Sequence, residues 1–86
     1  MKKREITVGN INESDTHFLA EAVQTASRYK SRLYISVQNA QVNLKSIMGM
    51  MTLGLMEGDS AFIEADGIDE DEAIEGMSVF FEQVKK

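Results

Sequence analysis

The chain is predicted to fold as an α+β domain with elements in the order β-α-β-β-α-β-α: one four-stranded antiparallel sheet with three helices on one face. Runs in which apolar residues alternate with polar ones are interleaved with stripes at helical spacing along the whole length. A tight polar turn joins the two middle strands, so these pair as a hairpin. The chain has 86 residues, 43% of them hydrophobic, and neither proline nor cysteine. It is read as a single domain, 1–86, that builds its own core without disulfides or thiolate metal sites.

Each element has its own local signal. Lys3–Val8 alternates, with Ile6 and Val8 facing one way, and Gly9-Asn10 ends this first strand. Ser14 or Asp15 is suited to cap a helix in which Phe18, Leu19, Ala22, Val23 and Ala26 form an apolar stripe. That helix is expected to stop near Ser27–Lys30, where Arg28 and Lys30 complement the carbonyl end of its dipole. Arg32–Val37 is a second strand with Leu33, Ile35 and Val37 on one face. A turn at Gln38-Asn39-Ala40, with Asn39 suited to a positive φ, leads into a third strand at Gln41–Leu44. Ser46–Leu53 reads as a short helix capped by Ser46 and ended by a left-handed Gly54. Ser60–Ala65 is the fourth strand. Asp69 is expected to cap the last helix, with Glu72 completing a capping box and Glu70 and Asp71 loading the positive dipole end. Ala73, Ile74, Met77, Phe80, Phe81 and Val84 form its buried stripe, and Lys85-Lys86 its cationic end.

Charge and composition exclude several functions. The net charge is −5, and every charged residue from Glu57 to Glu82 is acidic. A nucleic-acid partner needs a concentrated basic face, which this chain lacks. The acidic stretch reads as a solvated surface, and Lys2, Lys3 and Arg4 as a solvated terminus. A single histidine rules out a multi-histidine metal cluster within the chain. Glu64, Asp66 and Asp69 do not match a calcium loop, and no cofactor is implied. No signal peptide or membrane-length apolar run is visible, so a cytoplasmic setting without membrane contact is expected.

The middle of the chain resembles a known family. Val42-Asn43-Leu44-Lys45-Ser46-Ile47-Met48-Gly49-Met50-Met51-Thr52-Leu53-Gly54 closely resembles the regulatory-serine segment of HPr, the small phosphocarrier of the bacterial phosphotransferase sugar system, in its Gram-positive form. Val23-Gln24-Thr25-Ala26-Ser27 and Gly67-Ile68-Asp69-Glu70-Asp71-Glu72-Ala73 look like the same family, and the likeness spans nearly the whole chain. The resemblance implies an open-faced β-sandwich with four strands and three helices, in the order read above.

The departure lies where the family's chemistry resides. In HPr proteins a histidine at the mouth of the first helix, followed by Ala-Arg-Pro, relays phosphate from enzyme I. Its surroundings are exposed helix N–H groups and the arginine. Counting back from Gln24, this chain has Asp15-Thr16-His17-Phe18 there: Asp15 at the acceptor position, His17 at the arginine and Phe18 at the proline. Asp15 can serve as a plain helix cap, as a standing mimic of a phosphorylated histidine, or as an acyl-phosphate acceptor. His17 falls two residues further on and reads as a surface histidine, with a displaced acceptor as the alternative.

Ser46 remains as the second phosphate site. In the family a dedicated HPr kinase phosphorylates the serine at this position from ATP, and the product is a corepressor for a LacI-type catabolite control regulator. A serine at a helix start is suited to this, because phosphate beside free N–H groups stabilises the helix. Ile47, Met48 and Met51 form one stripe of this short helix, Met50 and Leu53 the other. A small domain has room inside for one of them only. Met50 and Leu53 are read as core, and Ile47, Met48 and Met51 as an exposed, adaptable patch. The resemblance gives the matching residues, with Ala20 bordering them, the role of docking enzyme I, the kinase and the regulator.

The sequence therefore reads as a regulatory adaptor without enzymatic turnover, resembling the catabolite-repression branch of the family, with Ser46 as its switch. Two alternatives stay open. One is a phosphocarrier that takes phosphate from enzyme I at His17 or Asp15. The other is a constitutive binding module in which Asp15 supplies a fixed charge.

Overall fold

The structure, a computed structural model, describes residues 1–9, 16–54 and 58–82, and of Thr16 and His17 the backbone alone. The elements follow the expected order: β1 (Lys2–Thr7), α1 (Thr16–Ser27), β2 (Arg32–Val37), β3 (Ala40–Asn43), α2 (Ile47–Leu53), β4 (Ser60–Asp66) and α3 (Glu70–Glu82). The four strands form one sheet in the order β1-β4-β2-β3, every neighbouring pair antiparallel. The expected caps Ser14 and Asp15 and the residues Val84, Lys85 and Lys86 lie outside the described residues.

Alternation along the strands sorts residues between two faces. Ile6 of β1, Leu33 and Ile35 of β2, and Ala61, Ile63 and Ala65 of β4 are buried. With Phe18, Ala22 and Ala26 of α1, Met50 of α2, and Ala73, Ile74, Met77 and Phe81 of α3, they make one continuous core. Lys3, Glu5, Phe62, Glu64 and Tyr34 lie on the opposite face, where no helix covers them. Leu19, Val23 and Phe80 pack against the core from the rims of their helices. Phe18 links the start of α1 to the end of α3. Its ring stacks on Phe80 with centroids 5.4 Å apart and meets Phe81 edge-on at 5.9 Å.

Two expectations are corrected. The hairpin loop Gln38-Asn39 has its positive φ at Gln38, at 56°, and not at Asn39. The register Val37↔Ala40 closes a two-residue loop, and the twist of the flanking strands demands a left-handed first residue there. Lys2, Lys3 and Arg4 are exposed, as expected, and within edge strand β1 they also pair with Asp71 at 3.3 Å, Glu64 at 3.6 Å and Glu75 at 3.1 Å. Part of the acidic stretch is thereby matched by cations from the start of the chain.

The second correction concerns the start of α3. Asp69 sits at the helix boundary, and its carbonyl accepts the first helical bond, from the Ala73 amide at 2.9 Å. Its carboxylate, however, turns away to the bend between α1 and β2. One oxygen accepts from the Lys30 amide at 2.8 Å. The other accepts from the Ser31 amide at 2.8 Å and also from the Ser31 hydroxyl. The expected Glu72 reciprocal bond is replaced by Glu70, whose carboxylate accepts from the Gly67 amide at 3.1 Å. No capping box forms: the Asp69 oxygens are taken by donors from another element, and Gly67 has no side chain to return the Glu70 bond.

These donors hold the Asp69 carboxyl below its usual pKa, the Ser31 hydroxyl contributing most and the Lys30 amide next. A depressed folded-state pKa means that the stabilisation is present above the unfolded value, about pH 4, and is lost as pH falls through the folded value. Asp69→Asn is therefore expected to lower the thermal midpoint at pH 7 and to flatten the acid limb of the stability curve below about pH 4. An unchanged acid limb in thermal melts would exclude the clamp as its source. The same bend depends on a close approach at Gly67. A Cβ placed there would lie 2.6 Å from Ser31 Cα, which is main chain and has little room to yield. Gly67→Ala is expected to cost about 1–3 kcal/mol in urea denaturation.

Candidate functional site

The segment around Ser46 is built by a turn and a short helix. The Leu44 amide donates to the Leu33 carbonyl at 2.9 Å, continuing past the end of β3 along β2. Asn43 then turns the chain: its side-chain oxygen accepts from the Lys45 amide at 2.8 Å, and its carbonyl accepts from the Ser46 amide at 3.0 Å. The Lys45 ammonium donates to the Tyr29 carbonyl at 2.8 Å, tying the turn to the end of α1. Ser46 is extended, with φ −115° and ψ 115°, and its Oγ accepts from the Gly49 amide at 3.2 Å. Its carbonyl accepts the first helical bond, from the Met50 amide at 3.0 Å. This is N-cap geometry, in which the side chain satisfies one of the free donors of the first turn. Gly54, at φ 69°, ends the helix in the left-handed conformation as expected.

Gly49 and Asn43 carry roles that sequence reading missed. A Cβ at Gly49 would lie 3.2 Å from Val42 Cβ, so glycine lets α2 settle closely on β3. The signal for Asn43 was available: an asparagine two residues before Lys45 is the signature of a side-chain-closed turn.

The helix splits into two sides. Met50 is buried at 1% exposure, and Leu53 is half-buried against the core. Ile47, Met48 and Met51 are 37%, 75% and 56% exposed. Ala20, half-buried, stands on the neighbouring α1. Ser46 itself is half-buried, with its oxygen on the helix start. The result is a convex apolar surface beside a hydroxyl, suited to contact with a macromolecule. A separate open depression of about 500 Å³ lies between the hairpin tip and the end of α2, lined by residues such as Val37, Asn39, Leu53 and Asp59. It shares no residue with the Ser46 side.

The other candidate positions are less completely drawn. Asp15 lies outside the described residues, and Thr16 and His17 are placed only as the first residues of α1. Phe18 is absorbed into the core, so the position where the resemblance expects a helix-opening proline serves packing here. Among the described residues no His/Asp/Glu group could hold a metal ion, and no helix is long and apolar enough to cross a membrane.

Comparison with known proteins decides the family. Residues 2–83 match the model described as the PTS HPr component phosphorylation site. The chain belongs to the HPr family. It is 37% identical over 82 residues to the phosphocarrier protein HPr of Xylella fastidiosa, covering 95% of this chain and 92% of that one. A crystal structure of HPr from Thermoanaerobacter tengcongensis superimposes with a TM-score of 0.88 at 37% identity, over 94% of this chain and 91% of that one. The solution structure of Crh, the catabolite repression HPr of Bacillus subtilis, gives a TM-score of 0.70 at 28% identity, over 98% and 100%. HPr phosphocarrier proteins are not themselves enzymes.

The orientation of α2 gives a direct test. Met50→Ala is expected to cost about 2–5 kcal/mol in urea denaturation, as a deletion of buried atoms. Met48→Ala and Met51→Ala are expected to stay within about 0.5 kcal/mol of the parent. Comparable losses at all three positions would mean that the outer side of the helix is not free.

Proposed function

We propose that this chain is a phosphate-bearing protein of the HPr kind, which receives a phosphoryl group through a partner enzyme and presents it through the surface around α2. The observation that carries this reading is the family match over residues 2–83, together with a capping serine next to an exposed apolar side of α2.

Two routes for the phosphate follow, each with its own support. The names of the relatives favour the carrier route, in which enzyme I phosphorylates His17 or Asp15 at the mouth of α1. The residues themselves favour the regulatory route. The position where the family has its acceptor histidine is Asp15, while Ser46 keeps a cap whose oxygen already faces a helix amide. On that route an HPr kinase-like enzyme phosphorylates Ser46 from ATP. The new charge, about −1.5 to −2, sits at the positive end of α2 and strengthens it. The modified face then docks a LacI-type catabolite control regulator. A cytoplasmic setting goes with either route.

The routes separate by donor and by bond chemistry. The protein is incubated with phosphoenolpyruvate and enzyme I, or with ATP and the serine kinase, and its intact mass is followed. A phosphoryl gain from the kinase that disappears in Ser46→Asn is the expected outcome of the regulatory route. Asparagine keeps the cap and lacks the hydroxyl, so loss of phosphate there is not loss of fold. On the carrier route the adduct comes from enzyme I: acid-labile and base-stable at His17, hydroxylamine-labile at Asp15. No gain from either donor overturns the proposal. It would favour a constitutive binding module, in which Asp15→Ala weakens partner binding and Ser46→Ala does not.

A further inference from the structure

Six methionines are an unusual share of so short a chain, and α2 holds three of them in four consecutive positions. Their environments differ sharply. Met48 and Met51 are three residues apart on the solvent side, 75% and 56% exposed. Met50, between them in sequence, is 1% exposed, and Met77 on α3 is fully buried. The outer pair neither caps the helix nor fills the core. The cap belongs to Ser46 and Gly54, and the core contact to Met50 and Leu53. A change confined to the outer sulfurs therefore alters the surface without touching what holds the helix in place.

We propose that Met48 and Met51 are a reversible oxidation site that switches the apolar side of α2 off. This rests on the docking role proposed above for that side. The oxidant is a hydroperoxide. A thioether sulfur attacks the distal peroxide oxygen, the O–O bond breaks and an S–O bond forms. The sulfur loses two electrons, the peroxide is reduced, and hydrogen peroxide leaves as water. The product is a polar sulfoxide with a strong acceptor oxygen in place of a polarisable apolar sulfur. A partner that covers this side must then bury an acceptor it has no donor for, which weakens docking about tenfold or more. Ile47 cannot compensate, being one residue at the edge of the patch and 37% exposed. Buried Met50 and Met77 stay reduced, so the fold and the Ser46 hydroxyl survive the switch.

The test treats the intact protein with hydrogen peroxide and maps oxygen additions by peptide mass over time. Oxidation is expected at Met48 and then Met51 well ahead of Met50 and Met77, with an unchanged far-ultraviolet spectrum. Met1, equally exposed but outside α2, serves as the reference for free access. Three samples are compared: reduced protein, oxidised protein, and oxidised protein after methionine sulfoxide reductase. Each is assayed for binding of an apolar dye and for the rate of phosphate uptake from the donor that labels the reduced form. Both readouts are expected to fall about tenfold on oxidation and to recover after the reductase. They should not respond to peroxide in Met48→Leu/Met51→Leu, which conserves volume without an oxidisable sulfur. Oxidation of Met50 or Met77 at the same pace overturns the proposal, as does undiminished dye binding by the oxidised form. If the reduced protein takes phosphate from no donor, the proposed function fails. The oxidation site is then judged on its mass map and dye binding alone.

Discussion

A four-stranded sheet with one apolar face must be covered from one side, and three helices have to do it within a chain of this length. Ile6, Leu33, Ile35 and Ile63 define the surface to be covered. Helix α3 lies over β1 and β4, α1 packs beside the other two helices and adds Phe18, Ala22 and Ala26 to the core, and α2 covers β3 with a single fully buried side chain, Met50. A helix of seven residues has two turns. Once one side is pressed onto the sheet, the other has nothing among the described residues left to bury against. The exposure of Ile47, Met48 and Met51 is thus a result of geometry before it is a matter of function. The hydrophobic effect acts against such a surface in a free monomer, and contact with another molecule relieves it.

The joint between α3 and the bend after α1 works by a different principle. Asp69 offers four lone-pair directions to donors that would otherwise be left without a partner in a bend: the amides of Lys30 and Ser31 and the Ser31 hydroxyl. Gly67 lets the two stretches of main chain approach closely enough for those bonds to form. In sequence terms Asp69 has every mark of a helix cap. It stands at the right boundary, yet its carboxylate bonds elsewhere, since three donors from another element outweigh one from its own first turn. Glu70 closes the turn before the helix by accepting from the Gly67 amide.

At the start of α1, Phe18 stacks on Phe80 and meets Phe81, so the helix start is anchored by aromatic packing. A residue committed to the core cannot also shape an exposed anion site. The turn before α2 has been kept free of such a commitment. Asn43, Lys45 and Ser46 spend their hydrogen bonds on holding the helix start, and the apolar contacts are made by Leu44 and Met50.

The element order, the strand faces, both caps of α2 and the division of its methionines were legible in the sequence, because each depends on residues within one or two turns of one another. Periodicity and capping chemistry are local, and around α2 nothing elsewhere in the fold contradicted them. The left-handed residue of the hairpin was misread because Asn39 has the better intrinsic preference for it, while the strand register places the demand on Gln38. Tertiary structure alone decided the ion pairing of Lys2, Lys3 and Arg4, the partners of Asp69 and the aromatic anchor at Phe18. These join residues about forty to seventy positions apart, and a side chain with several possible partners takes those that the packed backbone brings within reach.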